Sequence, residues 1–328
     1  MSNNSILSLC EAYRDYFKIG AAVRVEDFQG IQGELLKKHF NSLTAENAMK
    51  FGEIHPYEGS YDFEKTDRMK EFAVSNNMKM RGHTFVWHNQ NPHWLFEKNK
   101  EELLEILKEH IKTLCSRYGD VIYAWDVVNE AIEDKTDQQY RDTGWRKILG
   151  EDYIKTVFQL AKEFTGAAKL IYNDYNNEFP DKFKKSYDML KKLKAQGTPI
   201  DGVGLQGHWN IMDKQLIENL KRAIEGYASL GLQLQVTELD VSMFSFEDKR
   251  KNVLVPTEEM LYLQEEMYNN IFETFRSYKE VVASVTFWGI SDRYTWKDNF
   301  PVPGRKDWPM LFDINGEPKN SLARVLNF

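Results

Sequence analysis

The sequence predicts a single-domain (β/α)8 TIM barrel, of the α/β class. Two observations point there first: short apolar runs of strand length alternate with amphipathic stretches from end to end, and there are eight of them. A third is that no Pro/Gly/Ser-rich linker or low-complexity segment divides the 328 residues, so residues 1–328 read as one domain. A doubly wound open sheet alternates in the same way, but it gathers its polar residues near one switch point. Here polar residues end almost every predicted strand, as one face of a barrel carrying a site requires.

The predicted strands are 19–23, 42–46, 79–87, 122–129, 169–173, 202–208, 233–238 and 284–289. Helical stretches between them include 64–75, 101–117, 153–163, 181–194, 215–229 and 257–278. Leu103, Ile106, Leu107, His110, Ile111 and Leu114 recur at spacings of three and four, which is the stripe of a helix buried on one side. Taken in order, strand two leads into Glu46-Asn47-Ala-Met-Lys50, and strand three holds His83 and ends Trp87-His88-Asn-Gln90. Strand four ends Asn129-Glu130 and strand five Asn173-Asp174-Tyr175-Asn176. Strand six ends Gln206-Gly-His208-Trp209, strand seven Glu238-Leu-Asp240, and strand eight Trp288, with Trp296 in the loop beyond.

The formal charge of −7, with interspersed signs, excludes a general nucleic-acid binder, which would carry a basic patch or stripe. No run has the length of a membrane span. The start, Met1 to Phe17, lacks a basic region, and Ile6-Leu-Ser-Leu-Cys10 runs straight into Glu11, Arg14 and Asp15, unlike a signal peptide. Cytoplasmic localisation is the expectation; secretion with the leader already removed is the alternative. Cys10 and Cys115 are the two thiols, which suits a reducing compartment. The oligomeric state is not legible.

Glu130 and Glu238 each close a β-branched apolar stretch, where a buried strand would deliver a carboxylate to the mouth of a pocket. A pair so placed suits acid/base and nucleophilic work on one bond. Tryptophans alternate with amides, carboxylates and Lys50 along the strand ends. That mixture suits a sugar, whose C–H faces stack on aromatics and whose hydroxyls meet polar groups. Trp87, Trp288 and Trp296 are expected to face it, Trp125 and Trp145 to lie in the core, while Trp94, Trp209 and Trp308 stay open.

Eight segments carry a resemblance: Glu46-Asn-Ala-Met-Lys-Phe51, Arg81-Gly-His-Thr-Phe-Val-Trp-His88, Trp125-Asp-Val-Val-Asn-Glu130, Asn173-Asp-Tyr-Asn176, Gln206-Gly-His208, Val236-Thr-Glu-Leu-Asp-Val241, Thr286-Phe-Trp-Gly289 and Trp308-Pro-Met-Leu-Phe-Asp313. In this order they resemble glycoside hydrolase family 10, the retaining β-1,4-xylanases. The resemblance implies that Glu130 is the general acid/base and Glu238 the nucleophile, acting on xylan or imported xylo-oligosaccharides without a cofactor. It further implies that Glu46, Asn47, Lys50, His83, Trp87, Gln90, Asn129, Gln206, Trp288 and Trp296 bind the glycone side, with Tyr175 towards the leaving group. His208 would bridge Glu238 and Asp240. Asn89, His93 and Thr143-Gly144 depart from the family's usual residues and bear on loop shape and outer subsites.

Retention requires two carboxyl groups about 5–5.5 Å apart, one protonating the leaving oxygen and one attacking the anomeric carbon. Asn129 and His208 are expected to donate to Glu238 and keep it ionised, and its charge in turn holds the proton on Glu130. Asn129 has a second candidate role, donating to the 2-hydroxyl of the sugar at the cleavage site. A metal site from His83, His88, His208 and Asp240 is not expected, since His-Glu-x-x-His is absent and His83 and His88 are five apart on a strand. Gly202-Val-Gly204-Leu-Gln-Gly207 matches a dinucleotide motif only in letters, because it lies within a strand. A sugar-binding protein without catalysis, or a glycanase acting on β-glucan or mannan, are the competing functions.

Overall fold

The computed structural model describes residues 7–328. Residues 1–6, where the stretch read against a signal peptide begins, lie outside the described residues. The strands are β1 (Lys18–Val23), β2 (Ser42–Ala45), β3 (Lys79–Val86), β4 (Ile122–Asn129), β5 (Lys169–Asp174), β6 (Gly202–Leu205), β7 (His208–Asn210), β8 (Gln233–Ser242) and β9 (Val282–Phe287). Each barrel strand pairs in parallel with its neighbours, and β9 returns to β1 while β6 pairs with β8, so eight strands close a barrel. The short β7 stands outside that circuit and pairs with the far half of β8.

The helices are α1 (Leu9–Ala12), α2 (Gly30–His39), α3 (Phe51–Ile54), α4 (Glu64–Ser75), α5 (Lys100–Tyr118), α6 (Gly144–Leu149), α7 (Tyr153–Phe164), α8 (Pro180–Ala195), α9 (Leu216–Ser229), α10 (Glu258–Ser277) and α11 (Asn320–Leu326). Local chemistry starts several of them. Asn99 accepts from the Glu102 amide and Glu102 accepts from the Asn99 amide, both at 3.0 Å, a reciprocal cap on α5. Pro180 opens α8, where a missing N–H costs nothing. The α2 helix was not among the predicted ones, and its two glycines explain why: Gly30 and Gly33 weaken the helical signal.

Three strands differ from the sequence reading by more than one residue at a boundary. The predicted strand 202–208 breaks at Gly207, whose φ of 81° turns the chain before it resumes as β7. The strand predicted to close at Glu238 runs on to Ser242, because β7 supplies a partner for Asp240, Val241 and Ser242. The eighth barrel strand, predicted at 284–289, lies at Val282–Phe287.

The barrel is filled by polar groups. Arg81 on β3 donates through Nε to Gln235 Oε1 on β8 at 2.8 Å, a contact between opposite strands that can only cross the interior. Its guanidinium also forks onto Asp126, at 2.6 and 3.2 Å, and both residues are fully buried. Outside the circuit, Trp125 and Trp145 are each 1 % exposed, as expected of core residues. Trp125 stacks on Phe85 and lies against Gly82, where an added Cβ would come within 1.9 Å of its ring.

Gly82→Ala is therefore expected to lower stability by about 1–3 kcal/mol through overpacking. Thermal unfolding of the variant checks it; an unchanged midpoint would mean that Trp125 can shift freely.

Candidate active site

The site is built on the carboxyl ends of the barrel strands. Glu130 follows β4 directly, in a left-handed conformation with φ of 57° that side chains rarely adopt. Its amide donates to the carbonyl of Asn173 on β5 at 2.9 Å, which holds this turn in place. Gln206 Nε2 donates to Glu130 Oε1 at 2.8 Å, and Asn129 Nδ2 lies at 3.4 Å from the same oxygen. His88 Nδ1 stands 3.8 Å from the other oxygen. Burial, then the charge of Arg141, pushes His88 down to about 4, so it is neutral at ordinary pH.

On β8, Glu238 and Asp240 are two residues apart and share one face. Glu238 is 5 % and Asp240 0 % exposed, and two buried like charges so close need a counter-charge. His208 provides it. In the β7–β8 register His208 stands opposite Asp240, its Nδ1 2.8 Å from Asp240 Oδ2 and its Nε2 3.1 Å from Glu238 Oε2. Burial disfavours the charged ring, but Asp240 and Glu238 outweigh it and raise His208 to about 9. Burial likewise works against ionised Glu238, yet the His208 hydrogen bond, with electrostatic contributions from His83 and His208, holds it below the usual carboxylate value. Asp240 is also held low against burial, by Lys297 and His208, and it accepts from Trp296 Nε1 at 2.8 Å.

The second donor to Glu238 corrects the sequence expectation. It is Asn173, not Asn129: Asn173 Nδ2 donates to Glu238 Oε1 at 3.0 Å. Thr237 donates to Asn173 Oδ1 at 2.6 Å and so aims the amide N–H groups. Asn129, one strand further away on β4, receives a bond of 2.9 Å from Asn173 instead. Asn173 and His88 were visible at strand ends in the sequence, but only the folded register reveals whom they face.

Lys50 donates to Asn47 Oδ1 at 2.9 Å and lies 4.8 Å from the centre of the Trp87 ring. Burial lowers its pKa, with Glu238, Glu46 and Glu130 opposing. Glu46 accepts from Tyr294 at 3.2 Å, and beyond it a cavity of about 580 Å³ is lined by Arg24, Gln32, Arg293 and Tyr294 among others. Trp288 packs against His83, and the ring of Trp296 lies 4.7 Å from that of His208. His83 is 2 % exposed and is bonded to Asp126 at 2.9 Å. Gln90 is exposed on the loop after β3. Tyr175 bonds to Asp134 and Arg141, with Lys182 over its ring. Trp209, left open by the sequence, is a core residue donating to Glu178 at 2.7 Å. Trp308 is buried as well, and Trp94 donates to the Pro56 carbonyl at 3.0 Å.

The model of glycosyl hydrolase family 10 matches residues 8–328. The chain belongs to glycosyl hydrolase family 10. It is 62% identical over 328 residues to endo-1,4-beta-xylanase A of Caldicellulosiruptor saccharolyticus, covering 98% of this chain and 96% of that one. It is 51% identical to endo-1,4-beta-xylanase B of Paenibacillus barcinonensis, covering 99% of each. Among solved structures, a mutant in complex with xylotriose superposes with a TM-score of 0.98 at 61% identity, covering 98% of this chain and 100% of that one. An endo-1,4-beta-xylanase from Caldicellulosiruptor owensensis does so with a TM-score of 0.98 at 62% identity, with the same coverage.

The charged state of His208 makes a pH prediction. A pKa raised on folding adds stability that is complete below the unfolded value and is lost as pH rises through the folded one. The stability advantage of the wild-type protein over His208→Gln should therefore shrink by on the order of 3 kcal/mol between about pH 6 and about pH 10. Denaturant unfolding of both proteins across that range checks it; a constant difference would mean that folding leaves the pKa of His208 unshifted.

Proposed function

We propose that the protein is an endo-1,4-β-xylanase that hydrolyses internal β-1,4-xylosidic bonds with retention, Glu130 serving as acid/base and Glu238 as nucleophile. The observation that carries this reading is the contrast between the two carboxyl groups. Glu238 is held ionised by a charged imidazole and an oriented amide. Glu130 meets a neutral amide and a neutral imidazole. The relatives named endo-1,4-beta-xylanase over nearly the whole chain support the substrate class.

In the first step Glu238 attacks the anomeric carbon while Glu130 gives its proton to the leaving oxygen. The ester bond to the sugar then removes the negative charge of Glu238, which releases Glu130 to act as base towards water. Asn129 donates to the sugar 2-hydroxyl, a bond that strengthens in the transition state. Glu46, Asn47, Lys50, His83, Trp87, Gln90, Gln206, Trp288 and Trp296 bind the glycone. Tyr175 receives the leaving-group side. We also infer action in the cytoplasm on imported xylo-oligosaccharides, supported by the two unpaired thiols Cys10 and Cys115.

Xylotetraose and cellotetraose offered side by side test the reading. The wild-type protein should cleave the xylose oligomer rapidly, and Glu238→Ala should not. Glu130→Ala should lose about 10²–10⁴-fold on xylotetraose and much less on an aryl xylobioside, whose leaving group needs no proton. Preference for cellotetraose would move the assignment to another glycanase, and binding without products would favour a sugar-binding protein.

A further inference from the structure

On α8, Lys185 directs its ammonium at backbone carbonyls. Its three N–H groups meet three backbone carbonyls of one loop, those of Glu133, Thr136 and Gln138, each at 2.8 Å. The loop answers: Gln139 Nε2 donates to the carbonyl of Lys185 at 2.8 Å. This loop follows Glu130 directly and is closed by the antiparallel bridge of Ile132 with Tyr140. Its backbone has few bonds of its own, so the lysine supplies the contacts that a sheet would otherwise give.

The loop carries Asp134, and Asp134 accepts the Tyr175 hydroxyl. Arg141, just past the loop, bonds to both Asp134 and Tyr175. One helical turn before Lys185, Lys182 lies 3.4 Å from the centre of the Tyr175 ring and pairs with Asp174 at 2.8 Å. The same helix thus supports the ring directly and its hydroxyl partner through the loop.

We propose that Lys185 is a positioning residue for the leaving-group side of the groove: by clamping the 133–139 loop it fixes Asp134, and through it the Tyr175 ring on which the departing sugar rests. This rests on the functional reading above. Without the ammonium, three carbonyls lose their donor and the loop shifts, while Glu130 itself stays held by the Asn173 carbonyl and Gln206. The consequence is selective, weakening substrates with a sugar beyond the scissile bond and sparing those with an aryl leaving group.

The test compares xylotetraose with an aryl xylobioside. Lys185→Met keeps the apolar stem and removes the donors. It should lower kcat/KM for xylotetraose about fivefold to tenfold, mainly through KM, and change the aryl substrate less than about twofold. Asp134→Asn should show the same selectivity, and Lys185→Arg should restore part of the loss. In a Tyr175→Ala background, Lys185→Met should have no further effect. Equal losses on both substrates, no loss in folded Lys185→Met and Asp134→Asn, or an undiminished loss in the Tyr175→Ala background would overturn the proposal. A wild-type protein inactive on both substrates would instead overturn the functional reading beneath it.

Discussion

One imidazolium holds the site together. Glu238 and Asp240 share a face of β8 because strand side chains alternate, and both are buried, so neither could stay ionised beside the other alone. His208 reaches both because the chain turns at Gly207 and lays a three-residue strand against the far half of β8. The extra length of β8, the break in the sixth barrel strand and the low pKa of the proposed nucleophile are therefore consequences of one local geometry. Trp296 and Lys297 attach to the same Asp240 and tie the loop after β9 to it.

Beneath this triad the barrel interior extends the same logic. Arg81 is buried and paired with Asp126, and Asp126 in turn holds His83. Burial alone would raise Asp126, but the Arg81 charge and the His83 contacts keep its pKa low. Arg81, Asp126 and His83 thus form one buried ladder of bonded groups inside the barrel. Breaking such a ladder by removing one partner leaves an uncompensated buried charge, so its members act as a unit.

Much of this was legible in sequence. Parallel barrel strands are buried on both faces, so they appear as compact β-branched runs, and β4 coincides with its predicted range of 122–129. The two glutamates stood out because each ended such a run. What escaped was relational. Gly204 and Gly207 look alike in the sequence, yet Gly204 leaves room for Asn173 while Gly207 turns the chain. The expected Asn129 bond to Glu238 fell to Asn173, since the strand order and the Thr237 hydroxyl decide which amide faces the carboxylate. The support of Tyr175 by a loop and a lysine on α8 depends on backbone carbonyls, which no residue pattern reveals.

The central claim is that Glu238 attacks the sugar. The most direct measurement is mass spectrometry of the protein after reaction with a 2-deoxy-2-fluoro xylobioside bearing a dinitrophenyl leaving group, which forms the glycosyl ester faster than it is hydrolysed. The account predicts one added fluoro-xylobiosyl group per chain, carried by the peptide containing Glu238. A label on another residue, or release of the leaving group with no label and with inversion at the anomeric carbon, would contradict it.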